Sequence, residues 1–156
     1  MITIWDRVKM NPNELRERFS YIIKKYNNHF DEGDYEVSFL LAQSLFEDRL
    51  NVLWILGAWH QKTDDYWDVL KPDVRETKGK SITSKIYDLL EWQIIDNSTF
   101  MKWKKLIVLR NNLIHFSLFN VDEYTDRNSS KFFNEFRNAD KLIGEFKTET
   151  KFYEGK

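Results

Sequence analysis

The sequence predicts an all-α fold, an up-and-down bundle of four to five helices, on three grounds. Apolar residues recur at helical spacing through most of the chain, turn formers are scarce, and capping signals precede the periodic segments. With five glycines and two prolines in 156 residues, an all-β sandwich or barrel is not expected. The length suits one domain, residues 1–156, with a core from about 11 to 147. A hydrophobic share of 42% with 31% charged residues is too apolar for disorder, and no apolar run approaches the ~18 residues of a transmembrane helix. Met1–Asp6 has neither a basic start nor an apolar core, so no secretory signal and no membrane association is expected, and the location expected is cytoplasmic.

The first helix opens at Asn11-Pro12, an N-cap followed by proline at the first helical position, and runs to about Asn28 on a stripe of Leu15, Phe19, Ile22, Ile23 and Tyr26. Asp31-Glu32-Gly33-Asp34 breaks it. The second, from about Tyr35 to Trp59, is apolar around most of its circumference, which marks a central, buried helix. One polar line interrupts it, Gln43, Glu47 and Asn51 at i, i+4, i+8, flanked by Ser44 and Asp48. A polar linker with Pro72 and Gly79 follows. Ser81 caps a third, shorter helix carrying Ile82, Ile86, Leu89, Leu90 and Ile94. Asn97-Ser98-Thr99 caps a fourth that extends to about Phe116. A loop from Asp122 to Ser129 leads to the last, striped with Phe132, Phe133, Phe136, Leu142, Ile143 and Phe146, and the Lys-Thr-Glu tail is expected to fray. Six Trp, seven Tyr and twelve Phe mean either a thick aromatic core or a self-association surface.

Without cysteine there are no disulfides, zinc thiolates or thiol nucleophiles. His29, His60 and His115 lie in separate segments without ligand spacing, and Asp64, Asp65 and Asp68 follow no calcium-loop pattern, so neither a metal nor another cofactor is expected. No phosphate-binding glycine loop or nucleophile elbow is present. The net charge of −1 argues against coating duplex DNA by electrostatics alone. From Asn97 to Val121, however, there is no Asp or Glu, while Lys102, Lys104, Lys105 and Arg110 are all present. A solvated helix face is the plain explanation for the lysines.

Arg110 is the anomaly. On a wheel of ~100° per residue it falls in the middle of an apolar arc of Trp103, Leu106, Ile107, Leu113 and Ile114. A guanidinium there needs a carboxylate partner or a bound anion to offset its desolvation. Glu47 or Asp48 of the central helix would serve. Asn111 and His115, at i, i+4, share a neighbouring face with Lys104 and Val108, so Arg110 and His115 are not stacked. Acting together would require the arginine to reach round or a second copy to complete the site.

The string Arg110-Asn111-Asn112-Leu113-Ile114-His115 resembles the signature of the HEPN superfamily, an Arg, a polar residue, variable residues and then His, late in a helical bundle. The helix around Ser44–Leu53 is similar to that family's long amphipathic helix. The resemblance covers about four helices, roughly residues 11 to 147. It implies a metal-independent endoribonuclease, typically a homodimer, of the toxin–antitoxin or phage-defence type, with Arg and His of two protomers pooled across a two-fold axis and an antitoxin or regulatory protein as a further partner. One subgroup, the HepT-like toxins, carries a tyrosine two residues after the histidine that the antitoxin modifies. Ser117 stands there in this chain, and Tyr124 is too distant to substitute.

The implied reaction cleaves RNA through its own 2′-hydroxyl. It needs a proton-transfer group and a cation where charge builds on phosphate. His115 suits the first, since histidine titrates near neutrality, and Arg110 the second, since its planar fork spans two oxygens. Asn111 has a hydrogen bond to give to phosphate or to His115. Lys102, Lys104 and Lys105 would guide the RNA backbone, and Glu47 would orient Arg110. The rival expectation is a non-catalytic bundle of the same type that binds RNA or protein.

Overall fold

A computed structural model describes residues 10–61, 81–116 and 120–149. Among them are five α-helices and one 3-10 turn, with no strand. The helices are α1 (Pro12–Asp31), α2 (Tyr35–Gln61), α3 (Ile82–Glu91), α4 (Asn97–His115) and α5 (Asp126–Glu149), and the 3-10 turn is Val121–Glu123. They form the all-α bundle that the periodicity predicts. The N-terminal segment, the linker with Asp64, Asp65, Asp68, Pro72 and Gly79, and Ser117 lie outside the described residues.

The caps explain most boundaries. The side chain of Asn11 accepts from the backbone N–H of Glu14 at 3.0 Å, and Ser81 accepts from Ser84 at 3.1 Å. The cap of α4 is Asp96 rather than Asn97, because its carboxylate accepts from the N–H of Thr99 at 2.7 Å, and an anion there also complements the helix dipole. That hydrogen bond, and the one its side chain makes to Thr99, hold Asp96 below the ordinary carboxylate pKa. α5 begins earlier than the polar loop suggests, since Thr125 accepts from the N–H of Asn128 at 3.1 Å. Gly33, at φ +79°, supplies the left-handed residue that turns α1 into α2.

Side-chain pairs give the helix directions. Ser38 meets Ser129, Phe39 meets Phe132 and Arg49 meets Asp140, so α2 and α5 run the same way. Asn51 with Lys85 and Trp54 with Asp88 show that α3 also follows α2. α1 opposes them, with Tyr26 stacked 4.2 Å from Phe133 and Phe19 tilted against Phe136. α4 turns back from α3 and bonds α5 through Trp103 and Glu135. The short turns after α1 and α3 therefore reverse the chain, while α2 and α3 point alike.

The core lies around α2, where Phe46, Leu50, Leu53, Ile55 and Leu56 have no exposure. Phe46, Trp103 and Phe132 join α2, α4 and α5 in edge-to-face contacts. Most described aromatics are spent here, and the exposed ones are Tyr21, Tyr87 and Phe116. The Lys-Thr-Glu tail does not fray. α5 is helical through Glu149, and Lys147, only 1% exposed, lies 3.4 Å from the carbonyl of Met10.

α2 passes the α3–α4 turn at Gly57, where an added Cβ would lie 2.6 Å from Ile94 Cδ1 and 2.8 Å from Trp92 Cε3. Alanine improves helix propensity by ~1 kcal/mol, whereas overpacking costs ~1–3 kcal/mol. The collision with an indole ring wins, and Gly57→Ala lowers the melting temperature. A melting curve at or above that of the wild type contradicts this close approach.

Candidate functional site

α4 presents two faces. Phe100, Trp103, Leu106, Ile107 and Leu113 are buried against the bundle. Met101 and Val108, about half exposed, mark the outer side. Arg110 lies on the inner face, as the wheel indicates, and there it meets Glu47: Arg110 Nε is 2.7 Å from Glu47 Oε1, with 28% and 19% of the side chains exposed. The contact is one of charge. The buried Nε–H is not aligned for a hydrogen bond. Arg110 Nη1 donates to Asn111 Oδ1 at 2.7 Å. Nη2 has no hydrogen-bond partner among the described residues and is not fully buried. The guanidinium is thus held on two edges, with a third accessible.

Of the carboxylates on α2 weighed for Arg110, Glu47 is the one in place. Asp48 accepts instead from Arg49 Nη2 at 2.9 Å. Asn111 holds Arg110 through its oxygen. His115 is exposed on the last turn, its ring 6.4 Å from that of Phe116. Five residues turn it through ~140° from Arg110, so one chain brings Arg110, Asn111 and Glu47 together and leaves His115 on the other side. Ile114 departs from the expected arc: it is 52% exposed although Ile107, two turns earlier, is buried. The cover narrows at this end to the side of Leu113.

The lysines also divide. Lys104 turns toward α3, its Nζ donating to Tyr87 Oη at 3.1 Å. Lys102 and Lys105 line a groove between α4 and α5. His29 pairs with Asp34 at 3.1 Å and His60 packs edge-on to Phe146, so the three histidines lie at separate places. Among the described residues no three His, Asp or Glu side chains gather as a metal site, and no helix is long and apolar enough to cross a membrane.

Three buried cations escape the sequence reading. Arg49, with no exposure, reaches Asp48 and, at 3.5 Å, Asp140, and its guanidinium lies 4.6 Å over the Phe19 ring. Burial lowers its pKa, and Asp140 opposes this. Lys147 lies near it beside a groove of about 400 Å³ between α1 and α5. Burial first, and then the charge of Arg49, pull Lys147 down to about 8. Lys85, 3% exposed, donates to Asn51 at 2.7 Å. The signal that singles out Arg110, a cation inside an apolar arc, was equally present at Arg49 between Phe46 and Leu50.

No protein-family model, curated protein or solved structure matches this chain.

Two outcomes test these placements. Replacing Arg110 and Glu47 by alanine singly and together, with urea unfolding, gives a coupling of about 0.5–1 kcal/mol for a partly exposed pair; zero coupling separates the two. For Lys147 the folded pKa lies below the unfolded one, so the folded state releases its proton first. The burial penalty is complete below pH 8 and is relieved as pH rises toward the unfolded value near 10.4. Lys147→Met therefore gains stability relative to the wild type at pH 7, and the advantage shrinks by pH 9.5. A difference independent of pH contradicts the assignment.

Proposed function

We propose that this chain is a cytoplasmic, metal-independent endoribonuclease of the toxin–antitoxin or phage-defence type, acting as a homodimer in the manner of the HEPN superfamily. The observation that carries the reading is the division of α4. A guanidinium is fixed on one side by Glu47 and Asn111. An imidazole stands on the other with Val108, Ile114 and Phe116 uncovered. A second copy against this end of α4 covers the apolar side chains and supplies the group that a single chain cannot bring round.

In the proposed reaction His115 takes the proton of a ribose 2′-hydroxyl. The oxygen attacks the adjacent phosphorus, the bond to the 5′-oxygen breaks, and a 2′,3′-cyclic phosphate forms. The partner subunit's His115, in its protonated form, gives a proton to the departing oxygen. Arg110 Nη2 stabilises the charge on the non-bridging oxygens, and the contacts to Glu47 and Asn111 fix its position beforehand. Glu47 and Asn111 are positioning residues in this scheme.

The Glu47 contact also favours a second reading. An arginine neutralised inside its own chain is what a non-catalytic bundle that binds RNA or protein would keep for structure.

Incubating wild type and His115→Ala with mixed cellular RNA in excess EDTA decides between them. The first reading expects cleavage with 2′,3′-cyclic phosphate ends, slowed ~10²–10⁴-fold in the variant, the usual share of a proton-transfer group. If both proteins are folded and neither cuts, the ribonuclease reading falls and the binding module takes its place.

A further inference from the structure

The lysines of the acid-free stretch of α4 lie in two places. Lys104 is drawn off to Tyr87, whereas Lys102 and Lys105 meet Lys131 of α5 along a groove of about 310 Å³. All three lysines are exposed, and none forms an ion pair among the described residues. Leu106, nearly buried, and Leu109, half-buried, give the groove an apolar lining. Its single carboxylate is Glu135, whose Oε1 accepts from the indole N–H of Trp103 at 3.0 Å and from Asn138 at 3.1 Å. Oε2 has no partner among the described residues.

We propose that this groove is the RNA-backbone track of the protein, holding an unpaired strand by Lys102, Lys105 and Lys131 with one nucleoside on Leu106 and Leu109. The choice of RNA rests on the ribonuclease reading; the choice of a single strand rests on the groove. Its volume is at the low end of the ~300–1,000 Å³ of small-molecule sites, enough for one splayed nucleoside and too small for a duplex. An apolar lining suits a base face, and cations on both helices suit the flanking phosphates. Asn134, also on the rim, has a donor and an acceptor for a base edge. The spare oxygen of Glu135 can accept from a ribose 2′-hydroxyl, a donor that DNA lacks. Lys131 and Asn134 belong to a helix that the sequence pattern connects with no ligand.

The experiment measures fluorescence anisotropy with labelled oligouridine, its duplex with oligoadenylate, and oligothymidine of matched length, all on a His115→Ala background that does not cut. Replacing Lys102, Lys105 and Lys131 together by Gln is expected to weaken oligouridine binding about tenfold or more and to lower the slope of log K against log salt by about 2, or ~0.7 per lost contact. Lys141→Gln, at an exposed lysine of α5 outside the groove, leaves both unchanged. Circular dichroism checks that the variants remain folded, as exposed lysines allow. The proposal is overturned if the background protein binds no RNA, if the triple variant binds like the background, if Lys141→Gln weakens binding as much, or if duplex or oligothymidine binds as tightly as oligouridine. The EDTA assay keeps the two ideas apart. Lost binding in the triple variant with no cleavage by wild type leaves the groove standing and removes the ribonuclease. Cleavage by wild type with binding unchanged in the triple variant does the reverse.

Discussion

The burial of α2 is the constraint from which the rest of the structure follows. Most of its side chains from Ser38 to Ala58 are shut away from water, and a polar group in such a helix is tolerated only when another group meets it. Its polar positions have become the places where other helices attach. Glu47 receives Arg110 of α4, Asn51 receives Lys85 of α3, and Arg49 reaches out to Asp140 of α5 while resting on Phe19 of α1. Apolar packing supplies the cohesion. These polar meetings fix which face of each outer helix is turned inward, because any other rotation would bury a charge alone.

This constraint reaches the candidate site through α4. With Trp103 wedged against Phe46 and Arg110 committed to Glu47, the helix cannot roll about its axis. Its outer face is then set by geometry: Val108 and His115 are two turns apart on the water side, and Lys105 and Lys102 come round toward α5. One rotation places a fixed guanidinium, an exposed imidazole and a lysine-lined groove on three different sides of a single helix. Pooling a second copy's groups at the exposed end, as proposed, uses that arrangement without disturbing the core.

The same packing accounts for the cluster at the other end of α5. Arg49 and Lys147 are both cations, both are buried, and the charge of each disfavours the other. Asp140 and Asp48 relieve the arginine first, since its planar donors reach two carboxylates at once. Burial lowers the pKa of both, and the charge of Arg49 lowers that of the lysine further, to about 8, against the pull of Asp140. α5 continues to Glu149 because this lysine and Phe146 are covered, although the polar letters around them read as a tail.

The sequence by itself determined that the chain is helical, where α1 and α3 are capped, that α2 is central and that Arg110 sits wrongly for an ordinary apolar stripe. These are local or periodic properties, set by caps and by a 3.6-residue repeat that needs no partner to be recognised. The tertiary structure alone decided which carboxylate meets Arg110, that Asp96 and not Asn97 caps α4, that α2, α3 and α5 point the same way, that Lys104 parts from its neighbours, and that Lys131 joins them. Each of these depends on residues from other segments or on competition between adjacent caps. A residue's letter gives its chemistry and its place on a helix; its partner is chosen by the packing of helices far apart in the chain.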